Sequence, residues 1–562
     1  MTGEIRTTPD AYVGLDDPTA EQWSRWHEAM LAARARALAS ARFDDGVYED
    51  PRTAWSDTAF RQLFLFMYDA SFYDPVARRY RTEELIDGWR ARFGRVDEVL
   101  LWHAYPRLGF DARTQFDFYR QMPGGLERLR AEVCEPLRAR GIRVLVDYNP
   151  WDTGTFEELA EIVEGLAADG VMLDTMPDVP DDLVRAVSSR APGAVFAPEL
   201  RPTVEDLGRA RQSWAQWYDV GDLSTPTIYR HRWLVPRHRQ FAVARWDTSR
   251  RKDIVYSFFN GSGLVLWENV FGVYNPYAPE DRRLVAETAA VLDRYEDLFA
   301  RGTWLPLVPT GVRGLDANRF TEPSTGRAIV TLRNRTTERL AYRVPADAPA
   351  GLGYLAFWGD RHELSAEDSV AVEPLGTQAL VLDDPSTSRL ALAHFRDLSR
   401  RATLEPDGAE PRPRPRLLGA PRVAGAREAT RQDARMLDLP GGVFDMRIRH
   451  ERRECGCYPA GATDDATWGW HYGDTIAHEL RVVVEPFAIR ATAVTNAEYL
   501  AFVRASGYRP PDEERFLAHV VRAADGSLPA TLPARQAALP VTHVSLDDAR
   551  AFATFHGQAL PT

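Results

Sequence analysis

Carboxylates recur directly after short apolar runs in the first half of this chain. Val144-Leu145-Val146 runs into Asp147, Val171-Met172-Leu173 into Asp174, and Val195-Phe196-Ala197-Pro198 into Glu199. Further on, Trp217-Tyr218 leads to Asp219 with Asp222 close behind, and Leu264-Val265-Leu266-Trp267 leads to Glu268. Cleaving a glycosidic bond needs one carboxyl group kept protonated to donate to the leaving oxygen and a second that is ionised. Carboxylates that converge from several strand ends can supply both. Beside them stand Trp102, His103, Tyr105, Tyr148, Trp151, Trp217, Trp246 and Trp267, whose flat faces can stack on sugar rings. The pattern points to a carbohydrate or glycoconjugate partner. Asp174, Glu199, Asp147, Asp219 and Asp222 are the catalytic candidates. Trp102, His103, Tyr148, Trp151, Trp217, Trp246, Trp267 and Glu268 are the substrate-binding candidates. Each carboxylate also has a structural use open to it, capping a helix or pairing with an arginine.

Residues this far apart in sequence need a scaffold that gathers strand ends. From Gln62 onward, apolar runs alternate with helical stretches: Phe64–Met67, Val99–Trp102, Val144–Val146, Val171–Leu173, Val195–Ala197, Ser213–Tyr218, Phe241–Ala244 and Leu264–Trp267. Eight such runs predict an α/β fold, a (β/α)8 TIM-type barrel over residues 54–301, closed by a helix from Pro279 to Phe299. Residues 1–53 form a helical N-terminal extension, in which Thr19–Arg42 is amphipathic and expected to act as a lid or cap. After Trp304 the apolar pattern changes to period two, as in Ala328-Ile329-Val330-Thr331-Leu332, which predicts a small β-sandwich over 302–385. Residues 386–435 read as a helix and a Pro-rich linker. Its segment Glu410-Pro411-Arg412-Pro413-Arg414-Pro415-Arg416 should stay extended and act as a spacer.

The segment Gly141–Asp147, the segment Gly170–Asp174 and Glu199 resemble the third-, fourth- and fifth-strand motifs of alpha-amylase-type glycoside hydrolases. The resemblance implies Asp174 as nucleophile, Glu199 as general acid/base and Asp147 as a supporting carboxylate. The sequence departs from that family in two places. Met172 stands where the family has an arginine, and no Asn-His-Asp follows the seventh apolar run. A second arrangement, similar to alpha-galactosidase-type barrels, keeps Asp174 and takes the acid from Asp219 or Asp222. No cofactor and no metal are expected for the barrel.

Residues 436–562 carry a different set of motifs. Leu437–Phe444, Ala477-His478-Glu479-Leu480, Pro486-Phe487-Ala488-Ile489, Val494-Thr495-Asn496-Ala497-Glu498-Tyr499 and Pro540-Val541-Thr542-His543-Val544-Ser545 resemble the first half of formylglycine-generating enzymes, the sulfatase-modifying factor family. The resemblance implies an incomplete C-type-lectin-like α+β domain. In that family the copper-binding cysteine pair and the calcium ligands lie in the second half, so copper or iron is implied only if that half is present. The chain is expected to be a fragment of a longer protein, and no catalytic residue carries over. His471, His478, His519 and His543 are generic metal candidates without a matching spacing. Three functions remain open: a carbohydrate-cleaving or carbohydrate-binding barrel joined to this domain, an inactive binding or scaffold protein, and a metal-dependent oxidase of protein cysteine with the barrel as recognition arm.

Composition limits the other partners. The 69 basic and 81 acidic residues give a net charge of −12, a poor match to nucleic acid. A local basic stretch, Tyr229–Lys252, includes Arg230, His231, Arg232, Arg237, Arg239 and Arg250, and could meet an anionic group on a substrate or simply be solvated. No apolar run approaches the ~20 residues that span a bilayer, so no membrane partner is expected. The N-terminus lacks the apolar core of a secretory signal and the 3 cysteines make no disulfide framework, so a cytoplasmic location is expected.

Overall fold

The computed structural model describes residues 5–69, 71–75, 77–103, 114–150, 152, 154–216, 219–243, 249–270, 273–345, 349–359, 362–365, 368–403, 436–453, 456–459, 471–511, 513 and 516–561. The chain divides into two compact units, Met1–Pro413 and Arg414–Thr562.

The first unit is built on eight short parallel strands: β1 (Arg61–Phe66), β2 (Glu98–Trp102), β3 (Arg143–Tyr148), β4 (Gly170–Leu173), β5 (Val195–Pro198), β6 (Gln212–Ala215), β7 (Arg239–Ala242) and β8 (Gly263–Leu266). They pair in the order β5-β4-β3-β2-β1-β8-β7-β6, and Leu264 of β8 faces Arg61 of β1, so the last strand returns to the first. The ladder is interrupted between β5 and β6. This is the predicted TIM-type barrel, nearly closed. Strands buried on both sides carry continuous apolar runs, and their alternation divides those runs into two layers. Val99, Leu101, Val144, Val146, Val171, Leu173 and Phe196 share one buried cluster with helix residues Ile86, Phe93, Leu159, Ile162, Val163, Leu183 and Val187. Phe64, Leu100, Leu145, Met172, Ala197, Trp214, Phe241 and Val265 form another that fills the barrel.

The helices concerned are α2 (Thr82–Phe93), α3 (Gln115–Arg120), α4 (Phe156–Leu166), α5 (Asp181–Arg190), α6 (Arg251–Phe259) and α7 (Pro279–Arg294). Their starts follow elementary capping chemistry. Thr155 accepts from Glu158 N while the Glu158 carboxylate accepts from Thr155 N, and α7 begins on Pro279. The N-terminal helix α1 (Ala20–Ser40) is a brace rather than the expected lid. Trp23 Nε1 donates to the Pro306 carbonyl at 2.9 Å, and Trp26 and Met30 join the buried cluster that holds Trp233, Trp304 and Leu307.

Beyond the barrel, β9 (Thr303–Leu305), β10 (Leu315–Thr321), β11 (Ala328–Asn334), β12 (Leu340–Arg343), β13 (Gly353–Ala356), β14 (Glu363–Leu364), β15 (Ser369–Val372) and β16 (Thr377–Asp383) form antiparallel sheets. The larger runs β9-β10-β11-β16-β13-β14, and the smaller is the pair β12-β15. Ile329 and Val381 face a cluster shared with Phe258, Phe299 and, from α8 (Pro385–Thr403), Phe395. Val330 and Leu380 face Tyr342, Val370 and Val372 of the small sheet. Both faces of β11 are covered, so all of its residues are buried.

In the second unit β17 (Met436–Leu439) pairs with β21 (Phe487–Arg490). A long antiparallel ribbon joins β18 (Gly442–Arg453) to β20 (His471–Val484), with β19 (Gly456–Pro459) along its edge. Directly opposed residues share a face. Phe444 lies across from Val482 and Met446 from Leu480, and all four are exposed, whereas Asp445 and Arg481 are joined by a 2.8 Å hydrogen bond on the other face. Helices α9 (Asn496–Ser506) and α10 (Leu546–Phe555) pack through Tyr499, Phe502, Phe552 and Phe555. Thr495 with Glu498 and Ser545 with Asp548 form their capping boxes, and Gly507 ends α9 at φ +65°. Among the described residues no helix is long and apolar enough to cross a membrane.

Candidate functional site

Strand alternation decides which predicted residues meet. On β3, Val144, Val146 and Tyr148 point to the helices, leaving Leu145 and Asp147 facing inward. On β4, Met172 faces inward and Asp174 is the next residue of that parity; on β5, Ala197 and then Glu199 follow the same rule. The ladder continues past the strand ends, with Asp174 N donating to Tyr148 O at 2.9 Å and Glu199 N to Leu173 O at 3.1 Å. Three carboxylates from three adjacent strands are therefore brought to one end of the barrel interior. All three are buried.

Their surroundings differ. Glu199 Oε2 accepts a 2.6 Å hydrogen bond from Thr175 N, and Thr175 itself sits at φ +57°, a costly conformation for a β-branched residue. The turn that presents Asp174 is thus held by the Glu199 carboxylate. Burial, together with the charge of Glu199, pushes Asp147 well above the usual carboxylate range. Burial pushes His103 the other way, to about 3. His103 Nδ1 lies 3.4 Å from Asp147 Oδ2, but with one group protonated and the other neutral this is a close approach and not an ion pair. Helix α3 fixes both. The Tyr119 hydroxyl donates to Leu101 O at 2.6 Å and accepts from Asp147 N at 2.9 Å, while its ring stacks on His103 at 5.2 Å. One turn away, Gln115 holds both the N–H and the carbonyl of Asn149. Sequence reasoning missed Tyr119, Gln115 and Thr175. The i, i+4 spacing of Gln115 and Tyr119 is the one signal that could have found the first two.

Other predicted residues have different roles. Asp222 is exposed and caps a turn, accepting from Ser224 N at 2.8 Å and Ser224 Oγ at 2.5 Å. Asp219 is exposed as well; its carboxylate accepts from Gly221 N, and its own N–H donates to Asp10, so the loop is tied to the N-terminal segment. Glu268 is half-buried against Arg92 at 3.2 Å and accepts from Tyr277 N, a structural carboxylate. Trp267 stacks on Phe64 at 3.8 Å and Trp102 packs between Phe64 and Phe66, so both are barrel core and not open sugar platforms. Tyr148 faces outward onto Phe116 and Phe156. Trp151, Trp217 and Trp246 lie outside the described residues, as does Tyr105. Of the basic stretch, Arg232, Arg239 and Arg250 are buried, and Arg237 pairs with Asp57 and Glu49.

In the second unit His519 and His543 stack at 5.3 Å, and His519 Nε2 lies 2.7 Å from Asn496 Oδ1. Burial and the neighbouring His543 lower the His519 pKa. Residues 422–562 match the family described as sulfatase-modifying factor enzyme 1-like. This segment is a sulfatase-modifying-factor domain. Over 178 residues the chain is 33% identical to the formylglycine-generating enzyme of Streptomyces coelicolor, covering 27% of this chain and 50% of that protein. The chain thus spans about half the length of the curated relative it matches. Among solved structures, an alpha-amylase from Geobacillus thermoleovorans, solved with acarbose, aligns at TM-score 0.41 and 13% identity over 59% of this chain and 99% of its own. A cyclomaltodextrinase aligns at TM-score 0.42 and 14% identity over 59% and 79%.

Within the sulfatase-modifying-factor domain, the placed side chains are scaffold. Tyr499 donates to the Asp548 carbonyl and Tyr508 to its carboxylate, binding α9 to α10. Among the described residues no group of three or more His, Cys, Asp or Glu is arranged to hold a metal ion, and the stacked His519–His543 pair has no third ligand.

Proposed function

We propose that the barrel acts on a carbohydrate and cleaves a glycosidic bond with retention, Asp174 attacking the anomeric carbon and Glu199 serving the leaving oxygen and then the water. The observation that carries this is the convergence of Asp147, Asp174 and Glu199 on one end of the barrel interior from adjacent strands. Asp174 follows the fourth strand and Glu199 the fifth, the positions where the resemblance to alpha-amylase-type hydrolases implies a nucleophile and an acid/base. Asp147, whose carboxyl is held protonated first of all by burial, adds a neutral donor without a further negative charge. The test is hydrolysis of a panel of aryl α- and β-glycosides by the full chain. Glu199→Gln should lower kcat/KM by about 10²–10⁴, and Asp174→Asn should abolish the covalent intermediate. Turnover that survives both substitutions refutes the assignment.

A second possibility, binding without hydrolysis, is favoured by the depth of the site. Asp147 is 0%, Asp174 5% and Glu199 4% exposed, and Met172 stands where amylase-type enzymes carry an arginine. A glycan that binds with a measurable Kd, is never cleaved, and binds equally to Asp174→Asn supports that role. Oxidation of a protein cysteine is the activity implied by the resemblance of residues 436–562 to the sulfatase-modifying factor family. No step of it is assigned to residues of this chain.

A further inference from the structure

A cavity of about 290 Å3 between Trp55 and the start of β5 is lined by Arg52 and Arg190, already matched to Asp50 and Glu164, and one of about 350 Å3 beside Trp23, Tyr342 and Tyr354 is largely apolar with no indicated occupant. A third, of about 320 Å3, is different. It lies between the loop after β5 and the N-terminal segment, lined by Pro9, Arg201, Thr203, Arg230 and His231, with Val204 and Leu234 as apolar wall. Its size is at the lower end of ligand pockets, roughly 300–1,000 Å3.

The charge balance of this lining is uneven. Two guanidinium groups reach it and no carboxylate lines it. Arg201 is anchored from behind, its Nε shared between Asp10 Oδ1 at 2.8 Å and Oδ2 at 2.7 Å, with Asp10 itself fully buried. Arg230 donates through Nη1 to the Pro9 carbonyl at 3.2 Å, and no carboxylate among the described residues pairs with it. His231, buried between the two arginines, is held neutral near a pKa of about 3 by burial first and then by the Arg230 and Arg201 charges. Arg201 is thus held in place by its pairing with Asp10, and Arg230 supplies the cation of the lining that no carboxylate among the described residues offsets. Planar guanidinium forks match oxyanions bidentately. Arg201 is also two residues beyond Glu199 on the same loop.

We propose that this cavity binds a tetrahedral oxyanion, sulfate or phosphate, carried as an ester on the sugar that the barrel engages. The oxyanion site stands by itself; its attachment to a sugar rests on the carbohydrate reading above. The full chain, and its Arg230→Gln and Arg230→Lys variants, would be titrated by calorimetry with inorganic phosphate, inorganic sulfate, glucose 6-phosphate, glucose 6-sulfate and glucose, against sodium chloride at equal ionic strength. Either inorganic oxyanion should bind and chloride should not. The matching ester should bind at least ~10-fold more tightly than the free ion, about 1.4 kcal/mol. Arg230→Gln should weaken binding about tenfold or more, with Arg230→Lys in between. Equal response to chloride, or unchanged binding by Arg230→Gln, overturns the site. Binding of inorganic ions without a gain for the esters overturns the sugar attachment alone. Repeating the titration on Asp174→Asn separates the two proposals, because oxyanion binding should survive that change whether or not the barrel hydrolyses glycosides. If Arg230→Gln fails to fold, the Lys variant carries the comparison.

Discussion

At the residue scale, two carboxyl groups in the barrel interior are held away from their usual ionisation, and they sit at opposite ends. Asp147 is at the site. Glu98 is at the other end, where Gln62 Nε2 and Gln212 Nε2 reach its carboxyl at 2.6 and 2.8 Å and burial raises its pKa to about 8. A protonated Glu98 needs an acceptor. Gln212 Oε1 has no hydrogen-bond partner, and exchanging the two ends of that amide would supply one. The sign of the pH effect follows directly. A carboxyl whose pKa is higher folded than unfolded stabilises the fold fully below about 4.5, and that contribution is lost as pH rises through about 8. Glu98→Gln should therefore gain stability relative to the parent between pH 5 and pH 9, at up to ~1.4 kcal/mol per pH unit. Urea unfolding at several pH values measures it. A difference independent of pH would show that Glu98 ionises normally.

At the element scale, the register of β4 against β5 decides where Asp174 stands relative to Glu199. Gly170 opens β4 opposite Val195, and a Cβ there would lie 2.5 Å from the Val195 carbonyl oxygen, a backbone atom that cannot turn away. Gly170→Ala should lose about 1–3 kcal/mol of stability, and should lower any activity on glycosides because the strand that carries Asp174 must shift. Thermal unfolding and initial rates test the two effects separately. A variant as stable as the parent would mean the two strands separate freely. The same element logic explains why Trp102 and Trp267 read as sugar platforms in the sequence and are core in the fold. An aromatic residue at a strand end has the same sequence signature whether it faces solvent or a neighbouring ring, and Phe64 lies against both.

At the scale of the whole molecule, the two units have separate cores. The barrel and sandwich clusters all fall before Pro413, and the cluster of Tyr499, Phe502 and Phe552 falls after it. Independent cores unfold independently. Calorimetry should resolve two transitions, and Phe552→Ala should lower only that of the second unit, by about 3–5 kcal/mol of its stability. A single transition that moves as a whole with this substitution would show coupled folding.

Much of this protein was legible in its sequence because the signals are local. Apolar runs separated by helical stretches specify parallel strands covered on both faces, and the order β1 to β8 follows from them. Thr155 with Glu158 and Thr495 with Glu498 announce helix starts through bonds made within one turn. The adjacency of Asp147, Asp174 and Glu199 follows from barrel geometry once three neighbouring strands are placed. Tertiary structure alone decided the rest, because it depends on what comes from elsewhere in the chain. Whether Glu268 is free or paired turns on Arg92, whether Asp219 reaches the site turns on Asp10, and the proton on Asp147 turns on Glu199 and on the removal of water. Burial and long-range charge have no period in sequence, and they set the ionisation on which the chemistry of these carboxylates depends.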